Sequence, residues 1–93
     1  MMNRPTVSVV VPTVDRPSAR TAVLSVLNQT SPPLEVIVAV DRADDRIPQH
    51  LDDLHDKIRV IFTGGVGPSG ARMQGFREAN GEIVAFLDDD DKW

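Results

Sequence analysis

The chain has 93 residues, 41% of them hydrophobic, and a formal net charge of −4 at pH 7. This length allows one domain at most, and an acidic chain without a basic run is not expected to bind nucleic acid or an anionic membrane. Without cysteine, disulfides and thiolate metal sites are excluded. With no apolar run of membrane-spanning length and no cleavable signal, we expect a cytoplasmic protein.

The first part of the chain predicts two buried strands joined by a helix. Residues 7–11 form a β-branched apolar run, as in a strand covered on both faces. Pro12 is expected to end this strand and Ser18 to cap the following helix. A second buried strand is expected over residues 34–40, after a proline pair. The helix between them is indicated by one apolar face, made of Ala19, Ala22, Val23, Val26 and Leu27.

The second part repeats the strand–helix pattern. Spaced apolar residues predict a short helix beginning near Pro48, followed by a strand over residues 58–62. A third helix is expected to open at Ser69 or Gly70 and to stop at Asn80-Gly81, before a fourth strand that begins at Ile83. The sequence therefore predicts an α/β fold of order βαβαβαβ with a mainly parallel four-stranded sheet.

Four consecutive aspartates, residues 88–91, follow the last predicted strand. Such close like charges are unfavourable unless they are solvated or share a cation, and a hard divalent ion bound with substrate phosphates would resolve the repulsion. In a parallel sheet the carboxyl ends of the strands form one edge, where ligands bind. That edge would gather Pro12, Thr13, Asp41 and the four acids. A non-catalytic interaction module with a solvated acidic edge is the alternative.

A glycine-rich link offers another interpretation. Gly65-x-Gly67-x-x-Gly70 fits the dinucleotide fingerprint, and Asp88 lies at about the expected distance for a ribose contact. A dinucleotide-binding oxidoreductase domain is therefore an alternative, although the motif falls in the third strand–helix unit and Pro68 removes an N–H group. The same loop could receive a phosphate at its helix N-terminus, where Arg72 would pair with that phosphate or with an acid.

Three segments resemble family 2 glycosyltransferases. Residues 7–17 (VSVVVPTVDRP) resemble the opening of the family, residues 25–30 (SVLNQT) its first helix, and residues 81–93 (GEIVAFLDDDDKW) the run into its Asp-x-Asp motif. The resemblance extends over the whole chain. It implies a Rossmann-like GT-A fold and a metal-dependent, inverting transfer of sugar from a nucleotide diphospho-sugar, most often a UDP-sugar, to an acceptor.

The resemblance also implies roles for individual residues. Pro12 and Thr13 would line the nucleotide pocket, Asp41 would recognise the base, and Arg72 matches the arginine of an Ala-Arg-Asn segment. Asp88 and Asp90 form the Asp-x-Asp pair and would bind Mg²⁺ or Mn²⁺. The implied donor-binding set is Pro12, Thr13, Asp41, Arg72, Asp88 and Asp89, and the implied metal ligands are Asp88 and Asp90.

The chain departs from the family pattern in several places. Val40 replaces an acid, and Arg42-Ala43 replaces Gly-Ser, so base recognition is the weakest inference. Met73 and Asp15 each stand where asparagine is common.

Residues 1–93 are expected to form the donor-binding half of the enzyme, inactive alone because the chain stops just past Asp-x-Asp. The catalytic base is expected outside them, and His50 and His55 are interpreted as surface or packing residues. An open sheet edge could promote self-association.

Overall fold

The computed structural model describes residues 5–14 and 16–93, so the departure at Asp15 lies outside the described residues. Strands and helices alternate along the chain, as the sequence predicts. The elements are β1 (Val7–Thr13), α1 (Ser18–Leu27), β2 (Glu35–Val40), a 3₁₀ helix (Gln49–Leu54), β3 (Arg59–Phe62), α2 (Pro68–Glu78) and β4 (Ile83–Phe86). Among these described residues, no helix combines the length and apolarity needed to cross a membrane.

The four strands form one sheet in the order β3-β2-β1-β4, and every pairing is parallel. In the register, Val9 of β1 lies beside Val36 of β2 and Ala85 of β4. The predicted α/β class with a parallel four-stranded sheet is therefore confirmed. The chain builds outward from β1 to β3 and then returns to place β4 on the other side of β1. This reversal of strand order is where open parallel sheets bind ligands.

The two central strands, β1 and β2, are covered on both faces, which explains their nearly continuous apolar runs. Alternate residues of β1 point to opposite faces, so Val9 and Val11 pack towards α1 while Val10 packs towards α2. The larger core cluster contains Val9, Val11, Ala22, Val23, Val26, Val36, Val38, Val40, Leu51, Leu54 and Leu87. The smaller one contains Val10, Ile37, Ala39 and Ala71.

The prediction that Pro12 ends the first strand is wrong. β1 continues through Thr13, and Pro12 pairs with Ala39 of β2. The backbone of Val10 faces β4, since its carbonyl accepts a hydrogen bond from Leu87 N at 3.0 Å. Backbone groups alternate sides along a strand, so Pro12 also faces the β4 side. The pairing of β1 with β4 has already ended at Val10. The missing N–H of Pro12 therefore interrupts no ladder bond.

Two helix starts also differ from the prediction. Ser18 is the first residue of α1 rather than its cap, and no side chain caps that helix. α2 begins at Pro68 instead of at Ser69 or Gly70, which suits proline because the first helical N–H has no partner within the helix. The predicted second helix begins next to Pro48, as expected, and is a short 3₁₀ helix.

The predicted stop at Asn80-Gly81 is wrong as well. The chain leaves α2 in an extended conformation at Ala79, with φ −73° and ψ 138°. Gly81 is required for a different reason, because a Cβ there would lie 2.6 Å from the backbone nitrogen of Ser8. Gly81 thus permits close packing against β1 instead of ending the helix.

Candidate functional site

A cleft of about 240 Å³ lies at the carboxyl edge of the sheet, between the ends of β1, β2 and β4 and the start of α2. The structure brings all seven predicted site residues to its walls: Pro12, Thr13, Asp41, Arg72, Asp88, Asp89 and Asp90. The remaining lining residues are Val14, Arg16, Pro68 and Ala71. The parallel topology explains this convergence, because each predicted residue follows or faces the end of a strand. The roles of these residues in binding stay predictions.

Asp41 follows β2 and holds the glycine-rich loop against the cleft. Its carboxylate accepts hydrogen bonds from Thr63 Oγ1 at 2.5 Å, Val66 N at 2.8 Å and Gly67 N at 2.8 Å. The bond from Thr63 lowers the pKa of Asp41 most strongly, desolvation opposes it, and backbone N–H groups of the loop lower the pKa further. Asp41 is therefore ionised at neutral pH, and its charge is fixed in place.

The geometry of this loop argues against the dinucleotide alternative. Gly64, Gly65 and Gly67 have φ values of 81°, 78° and 92°, a region that favours glycine. The turn that they form directs the N–H groups of Val66 and Gly67 to Asp41. A dinucleotide fingerprint must instead present such groups to a pyrophosphate. The glycines therefore serve the contact with Asp41.

The four consecutive acids form a turn that separates one of them from the other three. Asp91 N donates to the carbonyl of Asp88 at 3.0 Å, which leaves Asp89 and Asp90 in the middle. Asp89 is 8% exposed and accepts a 2.7 Å hydrogen bond from Thr13 Oγ1. Asp88, Asp90 and Asp91 are exposed, and one carboxylate oxygen of each lies within 4.8 Å of the others.

The three exposed acids offer the donor set that a hard divalent ion prefers. Mg²⁺ and Mn²⁺ bind carboxylate oxygens, and Mg²⁺ sites typically combine one or two of them with substrate phosphates. Asp91 was not among the predicted ligands, although the turn brings the first and fourth residues of the run together. The predicted pair, Asp88 and Asp90, fits this arrangement.

Two arginines contact the acidic turn. Arg72 lies on α2 as its fifth residue rather than in its first turn, and its Nη2 is 2.6 Å from Asp88 Oδ1. Of the two partners considered for Arg72, the acid is therefore the one it contacts in this structure. Arg16 lies 3.8 Å from Asp89 and also lines the cleft. Arg16 was not among the predicted site residues, and its signal in the sequence is a cation three residues beyond Thr13.

The two histidines lie away from the cleft. His50 is in the 3₁₀ helix, where its carbonyl accepts a hydrogen bond from Arg20. His55 follows that helix, with Nδ1 2.8 Å from the carbonyl of Asp52. Neither lines the cleft. This placement agrees with the interpretation of both as surface or packing residues.

The family model described as Glycosyl transferase family 2 matches residues 8–93. The chain belongs to glycosyltransferase family 2. It is 42% identical over 76 residues to an uncharacterised glycosyltransferase of Nostoc sp., covering 77% of this chain and 24% of that protein. It is 37% identical over 94 residues to GalNAc(5)-diNAcBac-PP-undecaprenol β-1,3-glucosyltransferase of Campylobacter jejuni, covering 95% and 30%.

A solved structure supports the same assignment of fold. The crystal structure of S. aureus TarS superposes with a TM-score of 0.77 at 30% sequence identity, covering 94% of this chain and 17% of TarS. The fold is therefore that of the Rossmann-like GT-A portion of this family. The chain spans only 24% and 30% of the length of the two relatives named above.

Proposed function

We propose that this family 2 glycosyltransferase chain binds the donor, a nucleotide diphospho-sugar, for an inverting and metal-dependent transfer to an acceptor hydroxyl. The observation that carries the proposal is the cleft at the reversal of strand order, whose walls bring together the carboxylate of Asp41, the guanidinium of Arg72 and two of the three clustered acids, Asp88 and Asp90. These groups suit a base with N–H donors, an anionic diphosphate, and a separate cation that the diphosphate would share with the protein.

Each residue has a chemical task in this proposal. Asp41, held ionised by Thr63 and the N–H groups of the glycine loop, accepts a hydrogen bond from a base N–H such as N3–H of uracil. Pro12 and Thr13 form the floor beneath the nucleoside, and Asp89 supports them from the acidic turn. Arg72 exchanges part of its contact with Asp88 for the diphosphate, because a guanidinium pairs well with phosphate oxygens.

Asp88 and Asp90, with Asp91 beside them, would hold the divalent ion. When bound, such an ion neutralises the charge that develops on the departing nucleotide diphosphate. We assign no general base among the described residues. In the whole enzyme, a base outside residues 1–93 would deprotonate the acceptor hydroxyl, and this chain alone would not turn over. A cytoplasmic location of the enzyme stays a prediction from the sequence.

Calorimetric titration of UDP, with and without Mn²⁺, tests the proposal. We expect Mn²⁺ to strengthen UDP binding at least about tenfold, because the acids and the diphosphate share the ion. Asp90→Asn should remove that enhancement. Asp56→Asn is the matched control, since Asp56 is exposed and does not line the cleft. GDP and NAD serve as comparison ligands.

Two results would contradict the proposal. The first is UDP binding that does not respond to Mn²⁺ in the wild-type chain. The second is NAD binding without metal that weakens when Gly67 is replaced by alanine, which would favour the dinucleotide alternative. Loss of the Mn²⁺ effect in Asp56→Asn as well as in Asp90→Asn would indicate a general charge effect instead of a site.

Self-association is a separate proposal. β4 is an edge strand of the sheet, and it carries the exposed apolar residues Ile83 and Phe86. Unpaired edges can pair with another chain. A monomeric mass in sedimentation at high protein concentration would contradict this proposal without affecting the donor site.

A further inference from the structure

We infer that Thr13 is a positioning residue: its hydroxyl holds Asp89 inward and so keeps the other three acids together on the exposed side of the turn. The inference rests on the proposed metal-dependent binding of the donor and adds to it. It also gives Asp89 a role in shaping the site, in place of the direct donor contact that the family resemblance implies.

The first step is that Thr13 is itself rigidly placed. It is the last residue of β1 and pairs with Val40 of β2. Its carbonyl accepts a hydrogen bond from Asp41 N at 2.8 Å. Thr13 is 4% exposed. Its hydroxyl therefore projects from a fixed point at the end of the central part of the sheet.

The second step is that Asp89 depends on this hydroxyl. A buried carboxylate is costly unless it is hydrogen-bonded or paired. The 2.7 Å bond from Thr13 joins residues 76 positions apart in the chain. The other contact, Arg16 at 3.8 Å, comes from a side chain that is 57% exposed, and such pairs contribute little. The hydroxyl of Thr13 is thus the stronger of these two restraints on the carboxylate.

The third step connects Asp89 to the acids on either side. Asp89 is one of two middle residues in the turn that the Asp91–Asp88 hydrogen bond closes. Fixing one middle side chain against β1 fixes the rotation of the turn. Asp88, Asp90 and Asp91 are then left on the exposed side, with their oxygens within 4.8 Å of one another. If Asp89 were released, the turn could rotate and the acids would separate.

Carboxylate footprinting with a carbodiimide tests the contact without any ligand. In the wild-type chain, Asp89 should be labelled much less than Asp90. Thr13→Val, which keeps the β-branched shape but lacks the hydroxyl, should raise the labelling of Asp89 several-fold, and Thr13→Ser should restore protection. Glu35, only 16% exposed at its side chain, reports global unfolding in the same sample and should stay protected.

Titration of UDP with and without Mn²⁺ tests the consequence. The readout is the dissociation constant of UDP without Mn²⁺ divided by the dissociation constant with Mn²⁺. A purely structural defect would lower the folded fraction and weaken UDP binding by the same factor with and without Mn²⁺, which leaves the ratio unchanged. Thr13→Val should lower the ratio by about tenfold, the lower end for residues that orient metal ligands. Thr13→Ser should restore it. Thr6→Val is the matched control, because Thr6 Oγ1 accepts a bond from Glu82 N at the opposite edge.

The outcomes separate the two proposals. Unchanged protection of Asp89 in Thr13→Val overturns the positioning role, whatever the titration gives. Exposure of Asp89 with an unchanged ratio also overturns it, because the hydroxyl would then hold Asp89 without organising the other acids. If the wild-type chain shows no Mn²⁺ effect at all, the proposed function fails, and this inference fails with it even where Asp89 is protected by Thr13.

Discussion

The two edges of the sheet use carboxylates in opposite ways. At the amino edge, Glu35 is surrounded by donors: Ser8 Oγ at 2.6 Å, Asn80 N at 2.6 Å and Asn80 Nδ2 at 3.4 Å. Arg59 lies 3.8 Å away. At the carboxyl edge, Asp41 accepts hydrogen bonds from Thr63, Val66 and Gly67, and Asp89 accepts one from Thr13. Beside them, Asp88, Asp90 and Asp91 remain exposed and close together, with Arg72 as a partner of Asp88.

This difference distinguishes the acids that stabilise the fold from the acids that stay available to a ligand. An acid with three donors from the protein stabilises the chain that surrounds it. Clustered, exposed acids repel one another and so oppose folding unless a cation joins them. Natural proteins retain such unfavourable groups where function requires them. Substitution of Glu35 and substitution of one of the three clustered acids should therefore change stability in opposite directions.

The largest loss of stability is expected from Gly81→Ala at the amino edge. The added Cβ would lie 2.6 Å from Ser8 N and 2.7 Å from Ser8 Oγ, so backbone would have to move. We expect a loss of about 3 kcal/mol in the free energy of unfolding, the upper part of the usual range for overpacking. Urea denaturation would measure it.

Gly64→Ala is the control for this substitution. Gly64 has a positive φ of 81° but nothing within 4 Å of an added Cβ, so only backbone strain opposes the change. That strain should cost about 1 kcal/mol. Equal losses in the two variants would show that the amino edge is looser than the packing at Gly81 indicates.

A smaller loss, about 2 kcal/mol, is expected from Glu35→Gln, because hydrogen bonds to a charged acceptor are stronger than neutral ones. Desolvation raises the pKa of Glu35, but hydrogen bonds from Ser8 and Asn80 and the charge of Arg59 outweigh it, so the pKa lies below its ordinary value of 4.5. The charged form therefore stabilises the fold above that value, and its contribution is lost as the pH falls through the lower, folded pKa.

The pH dependence of the free energy of unfolding tests this prediction. Between pH 6 and 8 the stability difference between wild type and Glu35→Gln should be constant, and below about pH 4.5 it should shrink. Glu82→Gln on the same edge is the matched control, because Glu82 is exposed. A difference that persists unchanged at pH 3 would mean that Glu35 acts through its shape rather than its charge.

The sequence was sufficient for the features that depend on patterns within one element. Apolar runs and spacings predicted all four strands, their order along the chain and the edge where Asp41 and the acids meet. The contacts of single side chains in turns were not predictable, because they depend on partners far along the chain. The contact between Thr13 and Asp89, and the use of loop N–H groups by Asp41, are of this kind. The position of Pro12 inside β1 was not predictable either, because it depends on β4, whose pairing with β1 ends before Pro12.

The smallest effect, and the one of opposite sign, is expected from Asp90→Asn. In a metal-free buffer with EDTA, removing one charge from the cluster should raise the free energy of unfolding by less than about 0.5 kcal/mol, within the usual range for surface substitutions. With Mn²⁺ and UDP the order should reverse, because a ligand that binds only the folded wild type stabilises it by mass action. Scanning calorimetry in the two buffers measures both. If Asp90→Asn were destabilising in EDTA, the exposed acids would be structural like Glu35, and the division between the two edges would not hold.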